Sequence, residues 1–252
     1  DRVVNDGTLD PSPAPAACNV TPDDTSIQAA VDNANDNDTI LVCPGTYAEE
    51  VNIDNPLTLN GPNAGTSPND SNDLSAPNSN RTASEAVVTL SSAPTPTNCG
   101  DFRSAFHVVA NDVTIDGFTI EGGGNVGAVV NNCNTSDFSF PAVDNTVIQN
   151  NILQNFGGGS IPNGVWLFSS PELSENNTVQ RNRVLVSGDG VIGIAMLNGG
   201  LIQTIQKNFV DATDSGVKQK GIFTSNLGDG TGDQSGAPID ISENHVATNA
   251  SS

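Results

Sequence analysis

The segment TSIQAAVDNANDNDTILVCPGTYAEEVNIDNPLTLNG, residues 25–61, decides the fold of this chain. In its first part, 25–34, a Thr-Ser helix start signal precedes apolar residues that recur at the spacing of one helical face. Its second part contains short apolar runs at 39–43, 50–53 and 57–59, separated by Pro-Gly, Asp-Asn-Pro and Asn-Gly turn signals. The segment therefore predicts one short helix followed by three short strands.

This arrangement, "IQAAVDNA" followed by "DTILVCPGTY", "EEVNI" and "PLTLNG", resembles the N-terminal signature of right-handed parallel β-helix proteins of the pectate-lyase-like type. The resemblance implies a solenoid of stacked coils whose N-terminal end is capped by a helix. That superfold hosts lyases, hydrolases, epimerases, adhesins and phage proteins, so the resemblance implies a fold and not an activity.

An internal repeat indicates the same fold from the residues alone. Segments that can be superposed lie at 113–121, 145–153, 177–185, 201–210 and 238–246. Their shared column holds Asn150, Asn182, Asn208 and Asn244, with Gly117 in the first segment. Stacked coils would place these amides roughly 4.8 Å apart, where they can form a hydrogen-bonded ladder at a tight turn. We therefore predict an all-β, right-handed parallel β-helix with an N-terminal capping helix.

The composition restricts the partners of the chain. Its 252 residues include 29 Asp and Glu against 8 Lys and Arg, which gives a net charge of -21. A surface this acidic repels phosphate backbones, so we expect no nucleic-acid partner. No apolar run approaches the roughly 20 residues that a membrane span requires, so we expect no membrane insertion.

The cysteines indicate an extracellular protein. Cys18, Cys43, Cys99 and Cys133 lie far apart with no CxxC motif, which favours two disulfides over a zinc or redox site. Sequence order suggests Cys18 with Cys43 and Cys99 with Cys133, although four cysteines allow three pairings. Because disulfides persist outside the cytoplasm, we expect a secreted or cell-surface protein.

The chain divides into an N-terminal arm and a main domain. Residues 1–17 join a strand-like piece, Arg2, Val3 and Val4, to a Pro- and Ala-rich linker, and on composition this arm should be mobile unless something binds it. Residues 18–252 form the predicted β-helix domain, with long loops at 62–85 and 225–237. The arm could dock on its own chain or add to the β-edge of a neighbouring subunit.

Candidate binding residues are few. Register suggests that Arg181, Arg183 and Lys207 lie together on the surface, either as a sugar-acid site or as a solvated ladder in which Lys207 pairs with Glu243. Gly-flanked Asp229 and Asp233 faintly resemble extracellular calcium loops, which makes Ca²⁺ the one conceivable cofactor. A flexible hairpin tip explains the same two residues.

No pattern in the sequence assigns a catalytic residue. Asp116 lies in a predicted strand, but the positions aligned with it do not complete the carboxylate cluster that a glycoside hydrolase needs. We therefore favour a non-catalytic protein over an enzyme and leave the choice open. Two functions remain: a structural or adhesive protein that assembles head to tail with its own copies through the arm and an open C-terminal coil, or a protein that binds or degrades polysaccharide.

Overall fold

The computed structural model describes residues 1–7, 16–19, 21–90, 104–121, 129–131, 141–155, 163–168, 174–187, 191–197, 203–213, 220–225 and 239–248. These residues contain one α-helix, α1 (Ile27–Asp32), and a 3₁₀ turn at Ala16–Asn19. No helix in the described part of the chain is long and apolar enough to cross a membrane.

The remaining regular elements of the described chain are short strands. In chain order they are β1 (Arg2–Val4), β2 (Asp38–Val42), β3 (Gly45–Ala48), β4 (Val51–Ile53), β5 (Leu57–Asn60), β6 (Ala86–Thr89), β7 (Phe106–Val108), β8 (Thr114–Asp116), β9 (Thr119–Glu121), β10 (Val129–Asn131), β11 (Val147–Gln149), β12 (Ile152–Gln154), β13 (Asn163–Phe168), β14 (Thr178–Gln180), β15 (Arg183–Leu185), β16 (Ile192–Leu197), β17 (Thr204–Gln206), β18 (Phe209–Ala212), β19 (Lys220–Ser225), β20 (Asp240–Ser242) and β21 (His245–Thr248).

The strands form three parallel sheets. The first sheet has the order β1-β2-β5-β8-β11-β14-β17-β20, the second β3-β6-β9-β12-β15-β18-β21, and the third β4-β7-β10-β13-β16-β19. From β2 to β19, every three consecutive strands contribute one member to each sheet, so each triplet is one coil. The chain is therefore the right-handed parallel β-helix that the sequence predicts, with six such coils between β1 and a final pair, β20 and β21.

The core consists of columns of aliphatic side chains inside the coils. One column of the first sheet contains Ile40, Leu59, Ile115, Ile148, Val179 and Ile205, which are fully buried. Because successive side chains of a strand point to opposite faces, the polar neighbours of these residues point outward. Each buried aliphatic side chain stabilises the fold by about 1.5–3 kcal/mol, so the columns supply the main stabilising term.

The N-terminal end of the solenoid is closed. Ser26 caps α1 by accepting a hydrogen bond from the Ala29 amide at 3.2 Å. The Glu49 carboxylate accepts from the amides of Ile27 and Gln28 at 3.0 and 2.9 Å, which fixes the helix to the turn after β3. The buried face of α1 covers the apolar cross-section, as expected of a capping helix.

The N-terminal arm docks on its own chain. Strand β1 pairs with β2 in the register Arg2 with Ile40 and Val4 with Val42, and the Val4 side chain is fully buried. Residues 2–4 are thus the first strand of the longest sheet. Of the two arrangements that the sequence allows for the arm, docking on its own chain and addition to a neighbouring subunit, the structure has the first.

A disulfide lies beside this strand. Cys18 and Cys43 are joined across 25 residues of sequence, and the Cys43 amide donates to the Val4 carbonyl at 2.9 Å. This is the first of the two suggested pairings; Cys99 and Cys133 lie outside the described residues.

The C-terminal coil is open by comparison. Ile241 and Val246 continue the buried columns of Ile205 and Val210, yet they are 46% and 39% exposed. Their strands, β20 and β21, have a neighbouring strand on one side only within the described residues. An apolar cross-section is therefore exposed at this end.

Candidate functional site

The polar residues of interest lie at the corner where each coil passes from the first sheet to the second. Three residues of each turn form three parallel columns along the solenoid axis, because the strands on either side stay in register from coil to coil. One column is buried, one has a left-handed backbone, and one carries side-chain amides along the surface.

The buried column is the asparagine ladder. It consists of Asn151, Asn182, Asn208 and Asn244. The Asn182 Oδ1 atom accepts from the Asn151 amide at 3.0 Å, and the contact repeats from Asn182 to Asn208 and from Asn208 to Asn244 at 3.0 Å. Each amide nitrogen donates to a main-chain carbonyl of the preceding coil, as Asn182 does to Ile148 at 2.8 Å.

Two members of the predicted ladder are wrong. The ladder residue is Asn151 and not Asn150, and in the preceding coil Phe118, not Gly117, donates its amide to Asn151 Oδ1 at 2.9 Å. The strands explain the shift: Val147 pairs with Thr178, so the second repeat is displaced by one residue relative to the alignment by first letters.

The left-handed column contains Gly117, Asn150, Arg181, Lys207 and Glu243, with φ between 53° and 81°. Arg181 thus shares its column with Asn150, and Arg183 lies in β15 beside Ile152 and Phe209. Non-glycine residues seldom adopt this conformation, so the last four of these corners each hold one strained residue.

A third column was not anticipated. Gln149 Nε2 donates to Asp116 at 2.9 Å, Gln180 to Gln149 at 2.8 Å and Gln206 to Gln180 at 3.1 Å. The Asp116 carboxylate ends this ladder, and it also accepts from the amide of Gly65 and the side chain of Asn150. These contacts join the loop to this corner of the coils.

The loop 62–85 leaves the second coil and runs along this corner. Arg81 fixes it: the guanidinium donates to the carbonyls of Thr66, Asn150 and Phe118 at 2.9, 2.7 and 3.3 Å, and to both Glu85 oxygens at 2.9 Å. Its side chain is only 5% exposed. The sequence signal for this role is that Arg81 is the single Lys or Arg between residues 3 and 102.

The far end of the loop is fixed by other contacts. Asn69 is buried and donates to the Asn182 carbonyl at 2.9 Å. Arg183 donates weakly to Asn69 and to the Ser75 carbonyl and lies 4.5 Å from the centre of the Phe209 ring. Burial lowers the pKa of the Arg183 guanidinium, and Asp211 opposes this shift. Arg183 therefore holds the loop against β15 through its contacts with Asn69 and Ser75.

A groove of about 590 Å³ separates the loop from the left-handed column. We call it the loop groove. Amide, hydroxyl and charged side chains dominate its lining. It is bounded by Gly65, Ser67, Asn69, Asp70, Ser71, Leu74, Asn78, Asn80, Asn150, Arg181, Lys207 and Glu243. Of the three predicted sugar-acid residues, Arg181 and Lys207 line this groove, whereas Arg183 does not.

The cations of the loop groove differ in their pairing. Lys207 Nζ lies 3.7 Å from Glu243, the pair that the sequence offers as an alternative to a binding site. Among the described residues no carboxylate forms an ion pair with Arg181, which is exposed. Arg181 is therefore available to an anionic group that enters the groove.

Asn150 adds a second feature. The residue is 1% exposed and its Nδ2 donates to Asp116 at 2.8 Å, but its Oδ1 atom has no hydrogen-bond partner among the described residues. A buried acceptor without a donor costs about 1–3 kcal/mol. A donor from a bound molecule would remove that cost.

The described residues contain no group of three or more His, Cys, Asp and Glu side chains that could hold a metal ion. The candidate calcium residues Asp229 and Asp233, and most of the predicted loop 225–237, lie outside the described part of the chain. The loop groove thus offers hydrogen-bonding groups and the two cations Arg181 and Lys207, which suit the binding of an anionic molecule.

Comparisons with known proteins concern the fold. No protein-family model matches the chain, and the search of curated proteins found no match. The structure of rice weevil pectin methyl esterase is 16% identical, with a TM-score of 0.40 over 79% of this chain and 62% of that chain. A pectin methylesterase from Aspergillus niger, in penultimately deglycosylated form, is 15% identical, with a TM-score of 0.36 over 100% of this chain and 86% of that chain. This chain spans 62% of the length of the rice weevil enzyme.

Proposed function

We propose that this chain is a secreted, non-catalytic β-helix protein that binds an acidic polysaccharide in the loop groove. The observation that carries the proposal is the combination, in one groove, of amide and hydroxyl groups with Arg181, which pairs with no carboxylate among the described residues. The Cys18–Cys43 disulfide supports secretion, because such bonds persist in oxidising compartments.

The lining of the groove suits a saccharide. Asn69, Asn78 and Asn80 present side-chain amides, and Ser67 and Ser71 present hydroxyls. Amides and hydroxyls both donate and accept hydrogen bonds, which matches the mixed donor and acceptor character of sugar hydroxyls. The left-handed column adds side chains at the pitch of the coils, roughly 4.8 Å, so a chain-like ligand could contact several in succession.

The charges favour an acidic saccharide over a neutral one. The protein carries a net charge of -21, yet four of its eight cationic residues, Arg81, Arg181, Arg183 and Lys207, lie at this loop. Arg81 and Arg183 are engaged in fixing the loop, which leaves Arg181 and Lys207 for a ligand. A carboxylate can bind them, while a sugar hydroxyl donates to Asn150 Oδ1.

The proposal is one of binding without turnover. A lyase needs a base beside the proton that it abstracts, and a hydrolase needs paired carboxylates. The acids that line the groove are Asp70 and Glu243, and Glu243 is paired with Lys207. Binding without turnover is the function that these groups support.

Calorimetry with defined oligosaccharides tests the proposal. Oligogalacturonate and alginate fragments serve as acidic probes and dextran fragments as neutral ones, each with calcium and with chelator. We expect the acidic fragments alone to bind, with an affinity that falls as salt rises. Arg181→Gln should weaken binding about tenfold or more, because a hydrogen bond to a charged group contributes about 1.5–3 kcal/mol.

Two further variants sharpen the test. Glu243→Gln should tighten binding, because it frees Lys207 from its ion pair. Arg2→Gln removes the same unit of charge at the N-terminal end and should leave the affinity unchanged. If Arg2→Gln and Arg181→Gln weaken binding equally, the effect comes from the net charge of the protein and not from the groove. If no acidic fragment binds, the proposal is overturned.

The head-to-tail filament predicted from the sequence has one supporting observation. We propose self-association as a second candidate function because Ile241 and Val246 expose the core columns at the C-terminal coil. A second copy that stacks on this coil would continue columns that already exist within the chain. The arm does not provide the contact in the described structure, since β1 pairs with β2 of the same chain.

Light scattering over a concentration series, with electron microscopy of the same samples, tests this second function. The wild-type chain should grow in mass with concentration, and Ile241→Asp should remain a monomer of about 26 kDa. A matched variant, Ser242→Asp, changes charge on the same coil in the outward column of Gln206 and leaves the core columns unaltered. Monomers throughout the series would remove the candidate.

A further inference from the structure

Strand β1 occupies a slot with two walls. On one side it pairs with β2, and the Cys43 amide donates to the Val4 carbonyl. On the other side the amides of Asp23 and Asp24 donate to the Val3 carbonyl at 2.9 and 3.3 Å. The backbone of β1 is therefore bonded along both edges, as a strand inside a sheet would be.

Side chains make the slot selective. The Arg2 guanidinium contacts the Asp24 carboxylate at 2.7 Å, and the Asp24 side chain is only 6% exposed. Two positions later, Val4 is fully buried in the core cluster that includes Ile27 and Val42. The slot thus recognises an extended strand with a cation followed, two residues on, by a small apolar residue.

The walls of the slot have support besides β1: β2 also pairs with β5, and the Asp24 carboxylate accepts from the side chain of Asn33 at 3.0 Å. They come from residues 21–46, and Glu49 fixes α1 beside them. The Cys18–Cys43 disulfide joins the chain to the same wall from the other side. If β1 leaves, the acceptor edge of β2 and the Asp23–Asp24 segment remain connected to the solenoid.

We infer that this slot also accepts the N-terminal strand of a second copy of the chain, so that two copies exchange β1. Thirteen residues lie between Val4 and Cys18, and a segment of that length reaches at most about 45 Å. A strand from another copy makes the same contacts as the chain's own strand, so exchange sacrifices none of them. Reciprocal exchange closes a dimer.

The concentration at which exchange becomes visible follows from the tether. A strand on a short linker has an effective concentration on the order of millimolar at its own slot. Below that concentration each chain keeps its own strand, and near it the exchanged form should become comparable in amount. The inference therefore predicts a steep dependence on protein concentration and is independent of the loop groove.

Disulfide trapping between two full-length variants tests the exchange. Val3 and Leu41 are paired across β1 and β2, and both are half-buried on the outer face. A chain with Val3→Cys is mixed with a chain with Leu41→Cys, equilibrated at dilute and at near-millimolar concentration, and oxidised. The control replaces the second chain by one with Thr178→Cys, which is half-buried on the same sheet but remote from the slot.

We expect the Val3→Cys and Leu41→Cys pair to give at least tenfold more heterodimer than the control at the high concentration and little at the low one. A single chain carrying both cysteines should form the internal disulfide, which verifies the register. Adding Arg2→Glu to the donor chain should lower the trapped heterodimer, because Asp24 then repels it. Heterodimer no greater than in the control, while the internal disulfide forms, would overturn the inference; failure of the internal disulfide would overturn the slot itself.

Discussion

Replacement of Asn182 by Ala tests the asparagine ladder at its centre. The Asn182 side chain is fully buried and makes four hydrogen bonds: its Oδ1 accepts from the main-chain and side-chain amides of Asn151, and its Nδ2 donates to the Ile148 carbonyl and to Asn208 Oδ1. The variant removes all four and leaves the coils otherwise unchanged.

The expected loss follows from the groups that stay behind. The Asn151 main-chain amide loses its acceptor inside the turn, which costs about 1–3 kcal/mol. The Ile148 carbonyl loses a donor at 2.8 Å, at a cost of about 1–2 kcal/mol. Asn151 Nδ2 and Asn208 Oδ1 each keep another partner. The free energy of unfolding should therefore fall by roughly 2–5 kcal/mol.

Urea unfolding followed by circular dichroism and by Trp166 fluorescence measures this change. The matched control is Arg181→Ala, one residue earlier on the same turn. Arginine and alanine both carry a Cβ, so the left-handed backbone at this exposed position is equally strained before and after the substitution. It should cost less than about 0.5 kcal/mol. A loss below about 1 kcal/mol for Asn182→Ala, or one equal to the control, would refute the ladder as a stabilising element.

Three other changes have defined outcomes. Gly117→Ala should destabilise the chain by more than about 3 kcal/mol in the same urea assay, since φ is +81° and a Cβ would clash with the Ala64 main-chain nitrogen; a near-neutral result would contradict that clash. Replacing Cys18 and Cys43 together by Ser should cost about 3.5 kcal/mol from the entropy of a 25-residue closure, and unchanged unfolding under non-reducing conditions would contradict it. Arg81→Gln should accelerate proteolytic cleavage within 62–85 at least tenfold, with cleavage elsewhere as the internal control, because the substitution removes the charged clamp on the loop.

The sequence predicted the fold well because the fold depends on local repetition. The helix predicted over 25–34 is present as Ile27–Asp32, and the predicted strands at 39–43 and 57–59 correspond to β2 and β5 within a residue. Strand β3 was missed because the Pro-Gly pair before it indicates a turn. The turn is present, but Tyr47 continues the chain as a strand by burying its ring and donating to the Cys43 carbonyl.

The register at the corner was harder to predict. The run Gln149, Asn150, Asn151 offers two asparagines, and alignment by the first letters of each repeat selects the wrong one. Alignment by the inward column selects Asn151, because Ile148 pairs with Val179 and the ladder residue lies three positions later in both coils. Burial fixes the register, whereas similarity of letters does not.

The candidate site was only partly predictable, for a different reason. Arg181 and Lys207 follow from the repeat, but the wall that turns them into a groove comes from residues far away in sequence. Arg81 reaches the Asn150 carbonyl across 69 residues, and Arg183 reaches Asn69 across 114. No local pattern encodes contacts of that separation, so the loop had to be observed in the folded chain.

The loop 62–85 also changes how the solenoid should come apart. Stacked coils normally interact with their immediate neighbours only, so such a protein can fray from one end a coil at a time. Here a loop from the second coil binds the corners of later coils through Phe118, Asn150 and Asn182. Loss of any one of those coils breaks contacts with the loop as well. Hydrogen exchange from the C-terminal end should accordingly proceed one coil at a time until it reaches β14, and the coils from there back to β5 should then open together as one cooperative unit.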